Sequence, residues 1–278
     1  MQMIYNGLSG CKLKIIDNGI LRKYSSSIDY NERLIKQVNK QILFTKFIFK
    51  NIDAPKVLGT LSNQLYSFDM EYISGLSSYE YFSSINANGV EFVIQTLFDY
   101  FDYFSNNARD IVINNKLIEK IDSLQAKTKY SEYLKYLKTY INDNKIVVPK
   151  TFCHGDLTFN NIIFHKNRLF FIDFLDSYVD SFFCDLIKLK QDLYHLWSLK
   201  VQDEKTLRLV QIYRHIWQKI NQRYKKYIRT QGFEILDIMN TLRIEPYLTN
   251  TNQTIILDKI VKSTELYEKF NYSNGRKI

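Results

Sequence analysis

The run His154-Gly155-Asp156, with Asn161 five residues past the aspartate and Ile172-Asp173 beyond it, constrains this chain more than any other part of its sequence. The pattern His-Gly-Asp-x4-Asn arises by chance on the order of once in a thousand chains of this size. Its flanks place it on a loop. Val147 and Val148 run toward it through Pro149 to Phe152 as a strand would. Ile162-Ile163-Phe164 follows Asn161, His165-Lys166-Asn167-Arg168 reads as a turn, and Leu169-Phe170-Phe171-Ile172 reads as the returning strand. Asp173 sits at its exit. Two carboxylates and a carboxamide are thereby drawn around one loop. A polar hairpin using Asp and Asn as turn residues is the plain alternative. Turn chemistry requires neither this His nor the second Asp.

Those residue types, in that order, suit phosphoryl transfer. One Asp takes the proton of the attacking hydroxyl, while an Asn and a later Asp hold the cations on the phosphates. The segment resembles the aminoglycoside phosphotransferase and choline kinase family, whose members share the protein-kinase-like fold. The matching residues are H-G-D-L-T-F-N-N at 154–161 and I-D-F-L-D at 172–176. The resemblance implies a two-lobed α+β fold: a small β-rich nucleotide-binding lobe over 1–73 and a larger, mainly helical catalytic and substrate-binding lobe over 74–278. It implies Asp156 as catalytic base, Asn161 and Asp173 as metal ligands, Asp176 as the closing acidic position, and His154 as a support of the loop. ATP and Mg2+ would be the cofactors. The acceptor would be a hydroxyl of a small molecule such as a sugar, an amino alcohol or an aminoglycoside. Gly155 stands where protein kinases carry Arg, and Leu175 where they carry the Gly of Asp-Phe-Gly. Both departures point to a small-molecule kinase. The specific motifs cover 154–176; the layout extends the resemblance over most of the chain.

The first seventy residues read as a small β-rich region. Met3-Ile4-Tyr5 suits a strand, Gly7-Leu8-Ser9-Gly10 a tight loop, and Cys11 to Asp17 alternates. Asn18-Gly19 signals a two-residue hairpin that returns through Ile20 to Tyr24. Backbone N–H groups at Ser9 and Gly10 are candidates to cover phosphate oxygens. Arg22 and Lys23 both offer a cation to the phosphates. Alternation allows only one to face them, and the apolar-apolar-cation pattern favours Arg22. Asp29 to Ile42 reads as a helix. Glu32 is the candidate partner for that cation, although Asp29 and Glu32 also resemble a capping box. Lys56 to Gly59 and Leu65 to Tyr72 read as strands. By the resemblance, Glu71 to Ile73 would be the lobe-joining hinge that meets the adenine edge. Residues 80–144 read as helical, as does the stretch through Trp197 after Asp185. Asp185 is either a brace of the catalytic loop or a helix N-cap. Pro246 is expected to end or kink the last helical region.

Composition narrows the classes. The 278 residues are 45% hydrophobic and 24% charged with only 9 Gly and 3 Pro, which argues for a folded globular chain. The beginning lacks a signal-peptide pattern, and no run of 18 apolar residues suggests a membrane span. Three scattered cysteines without zinc spacing suit a reducing cytoplasm. Much of the net charge of +9 lies in 200–229, where nine basic side chains face two acidic ones. Val210, Tyr213, Trp217, Ile220 and Tyr224 recur there at helical spacing, so a solvated amphipathic face is the simple reading. An anion-attracting surface is the sharper one. No nucleic-acid recognition motif accompanies it. An inactive nucleotide-binding regulator, docked through this helix, is the alternative to an enzyme. The complete Asp/Asn/Asp set argues against it.

Overall fold

The computed structural model describes residues 4–6, 11–17, 19–201, 207–248 and 251–273. Strands β1 (Ile4–Asn6), β2 (Cys11–Asp17) and β3 (Ile20–Ser25) are followed by helix α1 (Asn31–Phe44), then β4 (Ile52–Asp53), β5 (Val57–Ser62) and β6 (Tyr66–Glu71). Helices α2 (Ser78–Ser84) and α3 (Ala87–Asn106), strand β7 (Arg109–Val112), helices α4 (Asn114–Gln125) and α5 (Ser131–Asp143) and strand β8 (Val147–Lys150) lead to the motif. Beyond it come β9 (Ile162–His165), β10 (Arg168–Phe171), α6 (Phe182–Leu189), α7 (Trp197–Val201), α8 (Leu207–Arg223), α9 (Lys225–Ile228), α10 (Gln231–Leu242), α11 (Thr251–Lys262) and α12 (Glu265–Ser273). The α+β expectation holds, with a small N-terminal sheet region and a larger helical C-terminal region.

Contacts divide the chain into two compact units. One comprises 1–100 with 154–177, the other 101–153 with 178–278. This division is drawn differently from the expected lobes 1–73 and 74–278. The motif segment groups with the N-terminal residues because its hairpin is stitched to them. β10 pairs in parallel with β4, and Leu76 exchanges backbone hydrogen bonds with Phe164, 2.9 Å in each direction. A Cβ on Gly75 would lie 2.5 Å from the Ile163 side chain, so only glycine permits that approach.

In the first unit, β1-β2-β3-β6-β5 form one antiparallel sheet, and β4-β10-β9 a second of three strands. The tight turn between β9 and β10 places Lys166 and Asn167 at φ 45° and 59°, the left-handed pair a two-residue hairpin needs. Helix α1 covers one face of the larger sheet. Its Leu34 and Val38 pack with Tyr66, Phe68 and Met70, and with Leu13 and Leu21. At the helix end, Phe44 stacks on Phe171 at 5.7 Å and meets Phe174 at 5.1 Å between ring centroids. Aromatic packing therefore anchors the segment around Asp173 to α1.

In the second unit, β7 pairs with β8 and interrupts the helical run expected over 80–144. Helix α8 buries Leu209, Tyr213, Ile216, Trp217 and Ile220. Arg208, Arg214, Lys219 and Arg223 stay on its exposed side, as the amphipathic reading requires. The helix after Asp185 does not run on to Trp197. It passes into a π turn over Lys190–Tyr194 and breaks at Leu196, φ 58°. Pro246 lies in a short 3-10 turn, Glu245–Tyr247, and two further helices follow it. Among the described residues, no helix is long and apolar enough to cross a membrane.

Candidate active site

The loop between β8 and β9 is held by His154. Its imidazole is completely buried, and Nε2 lies 2.8 Å from the carbonyl of Ile172. That carbonyl can only accept, so Nε2 carries the proton. Nδ1 then accepts the backbone N–H of Asp156 at 3.2 Å. One neutral ring thereby ties the residue bearing the first carboxylate to the residue preceding the second. Burial pushes the His154 pKa down to about 4, against the upward pull of Asp156. The ring is a neutral structural bridge at neutral pH and takes up no second proton there.

Further links close the loop. The N–H of Leu175 donates to the His154 carbonyl at 3.0 Å, and that of Ile172 to the Asn161 carbonyl at 3.0 Å. Asn161 ends a 3-10 turn (Phe159–Asn161). Its Nδ2 donates to the Asp156 backbone carbonyl at 2.8 Å and to the Asp156 carboxylate at 3.1 Å. Gly155 has φ 90°, and an added Cβ would meet the Leu175 carbonyl at 2.3 Å and Ser177 Oγ at 2.7 Å. No side chain fits where the two segments cross. Asp173 itself is left-handed, φ 60°, a strained state that Asp tolerates better than most residues.

The cation beside Asp173 is Lys23. Its Nζ lies 2.7 Å from Asp173 Oδ1 and 3.0 Å from Gln37 Oε1. The expectation that favoured Arg22 is corrected. Leu21 and Lys23 share the sheet face that packs on α1, whereas Arg22 points the other way and forms a bidentate pair with Asp69, directly across on β6, at 2.6 and 2.9 Å. Burial is the largest single influence on Lys23 and works to lower its pKa, but the charge and hydrogen bond of Asp173 together with Cys11 and Tyr30 make the net shift upward. Glu32 is also corrected as partner of that cation. It is exposed and pairs with Lys36 at 3.0 Å, one turn along its own helix. It forms no capping box with Asp29, since neither the 3-10 turn Ile28–Tyr30 nor α1 has a side-chain N-cap.

Two groups on α1 escaped the sequence reading. Gln37 receives Lys23, and Lys40 donates to the Leu175 carbonyl at 2.7 Å. The available signal was a polar residue inside an apolar stripe: Gln37 lies between Leu34, Val38 and Gln41 on the buried side of the helix. Asp176 lies 3.7 Å from Lys36, a weak exposed pair. Asp185 is fully buried in the second unit. It is not an N-cap, because Ser181 caps α6 by accepting the N–H of Phe183. At the proposed hinge, the N–H groups of Glu71 and Tyr72 donate to Lys56 and Gly19. The Glu71 carboxylate accepts the N–H of Lys56. Among the described residues, the backbone of Ile73 forms no hydrogen bond. Ser9 and Gly10 lie outside the described residues.

Asp156, Asn161, Asp173 and Lys23 thus belong to one compact unit and one hydrogen-bonded frame. The sequence model of the phosphotransferase enzyme family matches residues 116–220, which include the whole motif. No curated protein matches the sequence. Among solved structures, the gentamicin complex of APH(2")-IIa aligns with TM-score 0.62 at 13% identity, over 96% of this chain and 92% of that one. The GDP complex of aminoglycoside 2'-phosphotransferase-IIIa aligns with TM-score 0.61 at 12% identity, over 99% and 93%. The streptomycin–ATP complex of APH(2")-IIa aligns with TM-score 0.58 at 14% identity, over 96% and 93%. The chain has the protein-kinase-like fold of the aminoglycoside phosphotransferases. The resemblance drawn from the motif is therefore borne out by both the family match and the fold.

The expected ligands Asn161 and Asp173 offer only hard oxygen donors, one carboxamide and one carboxylate. They fit a cation such as magnesium and not a soft or imidazole-seeking metal. Among the described residues, no three His, Cys, Asp or Glu side chains gather into a metal site. The second unit holds a separate pocket of about 190 Å3, in which Lys190 pairs with Asp237 at 2.5 Å. None of the residues singled out from the sequence lines it.

Proposed function

We propose that this protein is an ATP-dependent phosphotransferase that moves the γ-phosphoryl group to a hydroxyl of a small molecule. One observation carries the reading. A buried lysine and the left-handed Asp173 are paired at 2.7 Å, in the same frame that holds Asn161 on Asp156 at 3.1 Å. Phosphoryl transfer asks for positioning and charge neutralisation more than for covalent chemistry. Asp156 would orient the acceptor hydroxyl and take its proton, with Asn161 fixing the carboxylate. Lys23 would neutralise phosphate oxygens. Asn161 and Asp173 would hold magnesium, which supplies further neutralisation of the phosphates when bound. The backbone at Ile73 would meet the base edge, and Ser9 and Gly10 would cover the phosphates. The lobe boundary near residue 73 belongs to the same reading. The ATP complex of one structural relative and the GDP complex of another support a purine nucleotide as donor. Sugars, amino alcohols and aminoglycosides are the acceptor classes to screen, and a cytoplasmic site of action fits the absence of disulfides among the three cysteines.

The test compares wild type with Asp156→Asn in ATP-dependent phosphorylation across such an acceptor panel. Turnover should fall by about 10²–10⁴-fold while ATP binding persists. Equal turnover by both proteins refutes the base assignment. ATP binding without transfer to any acceptor would favour the inactive regulator.

A further inference from the structure

One side of α1 packs on the sheet, and the opposite side carries a pattern of its own. Ile28, Ile35 and Ile42 recur every seven residues, and Leu43 adjoins the last of them. They are 60%, 37%, 38% and 46% exposed, an apolar row left open to solvent. Glu32, Asn39 and Lys46, all exposed, fill the places between. Ile28 stands in the 3-10 turn that leads into α1, and Lys46 in the turn that closes it. The positions 28, 32, 35, 39, 42 and 46 alternate steps of four and three residues. That is the repeat of a seam along which one helix meets another.

Asn39 is the centre of symmetry of this row. Ile35 and Leu43 lie four residues before and after it, and Glu32 and Lys46 seven before and after it. A parallel pair of such helices would set Glu32 against Glu32 and Lys46 against Lys46. An antiparallel pair sets each Glu32 against the partner's Lys46 and each Ile35 against the partner's Leu43. We infer that a second copy of this chain docks on this face, α1 against α1, in an antiparallel two-fold dimer centred on Asn39. The contact is isologous, so every pair occurs twice. The two Asn39 amides meet at the axis, where each can donate to and accept from the other. Within one copy, Glu32 is held by Lys36 at 3.0 Å. That pair is solvated, and a carboxylate has acceptor sites for a second ammonium as well. Gln37 and Lys40, which reach Lys23 and the Leu175 carbonyl, lie off the row, so pairing leaves those bonds as they stand. A contact of about four helical turns is at the low end of interface sizes, so the dimer is a weak one.

Sedimentation equilibrium of the full chain over about 1–300 μM is the experiment. The weight-average mass should rise from 33.2 kDa toward twice that value, with a midpoint of roughly 10–100 μM. Ile35→Lys should weaken association by about tenfold or more, with the unfolding temperature of the dilute protein unchanged, since the position is exposed in the monomer. Glu32→Lys and Lys46→Glu should each weaken it by about threefold or more. The double variant carrying both should return to within about twofold of wild type, because the reversed charges face each other again. The rescue gives its answer even if Ile35→Lys fails to fold. Wild type that keeps the monomer mass throughout overturns the inference. So does a dimer that Ile35→Lys and the charge reversals leave intact, and so does a double variant no better than the two single ones.

Discussion

His154 offers the sharpest test of how the loop is held. Its ring is fully buried, with Nε2–H on the Ile172 carbonyl and Nδ1 on the Asp156 N–H. Protonation would put a charge in the interior and convert the acceptor Nδ1 into a donor facing another donor. The folded-state pKa is correspondingly depressed from 6.5 to about 4. The folded protein thus binds fewer protons than the unfolded chain between those values. The stability His154 contributes is present above the unfolded pKa and is lost as pH falls toward the folded one. From about pH 7.5 to about pH 5, this one group should remove about 2 kcal/mol. The assay is urea unfolding of wild type and His154→Asn at both pH values. The variant cannot titrate there, and the other ionisable groups cancel in the difference. His154→Asn should be less stable at about pH 7.5, and the gap should narrow by about 2 kcal/mol at about pH 5. The 15N spectrum of the wild-type ring should show a proton on Nε2 alone at neutral pH. A gap that is constant with pH, or a ring protonated on Nδ1, would refute the bridge.

The other predictions concern the same frame. Gly155→Ala places a Cβ 2.3 Å from the Leu175 carbonyl at a left-handed φ. It should cost at least about 2 kcal/mol of stability and remove phosphotransfer, and wild-type melting with full activity would contradict the crossing. Lys23→Gln should weaken ATP binding by about a hundredfold, whereas Arg22→Gln should change it by less than about threefold, since Arg22 is committed to Asp69 on the other sheet face. Titrations of both variants decide this, and the reverse ranking would restore Arg22 as the phosphate cation.

The sequence alone determined which polar groups the loop carries. Spacing along a chain fixes which groups a turn can bring together, so Asp156, Asn161 and the strand-exit Asp173 were legible before any fold was known. Strand alternation and turn residues likewise gave most of the N-terminal sheet. The identity of the cation was not legible. Arg22 and Lys23 are adjacent, and which one faces Asp173 depends on the face of β3 that packs on α1. That choice is set by Leu21 joining the cluster with Leu34, Val38 and Phe68. Gln37 was hidden for the same reason. It lies 14 residues from Lys23 and 136 from Asp173, and only the docking of α1 on the sheet makes them neighbours. The pairing of β4 with β10, and of β7 with β8, also joins segments far apart in sequence, where local pattern carries no information about partners. Local rules specified which polar groups share the loop, and long-range packing specified which partners they meet.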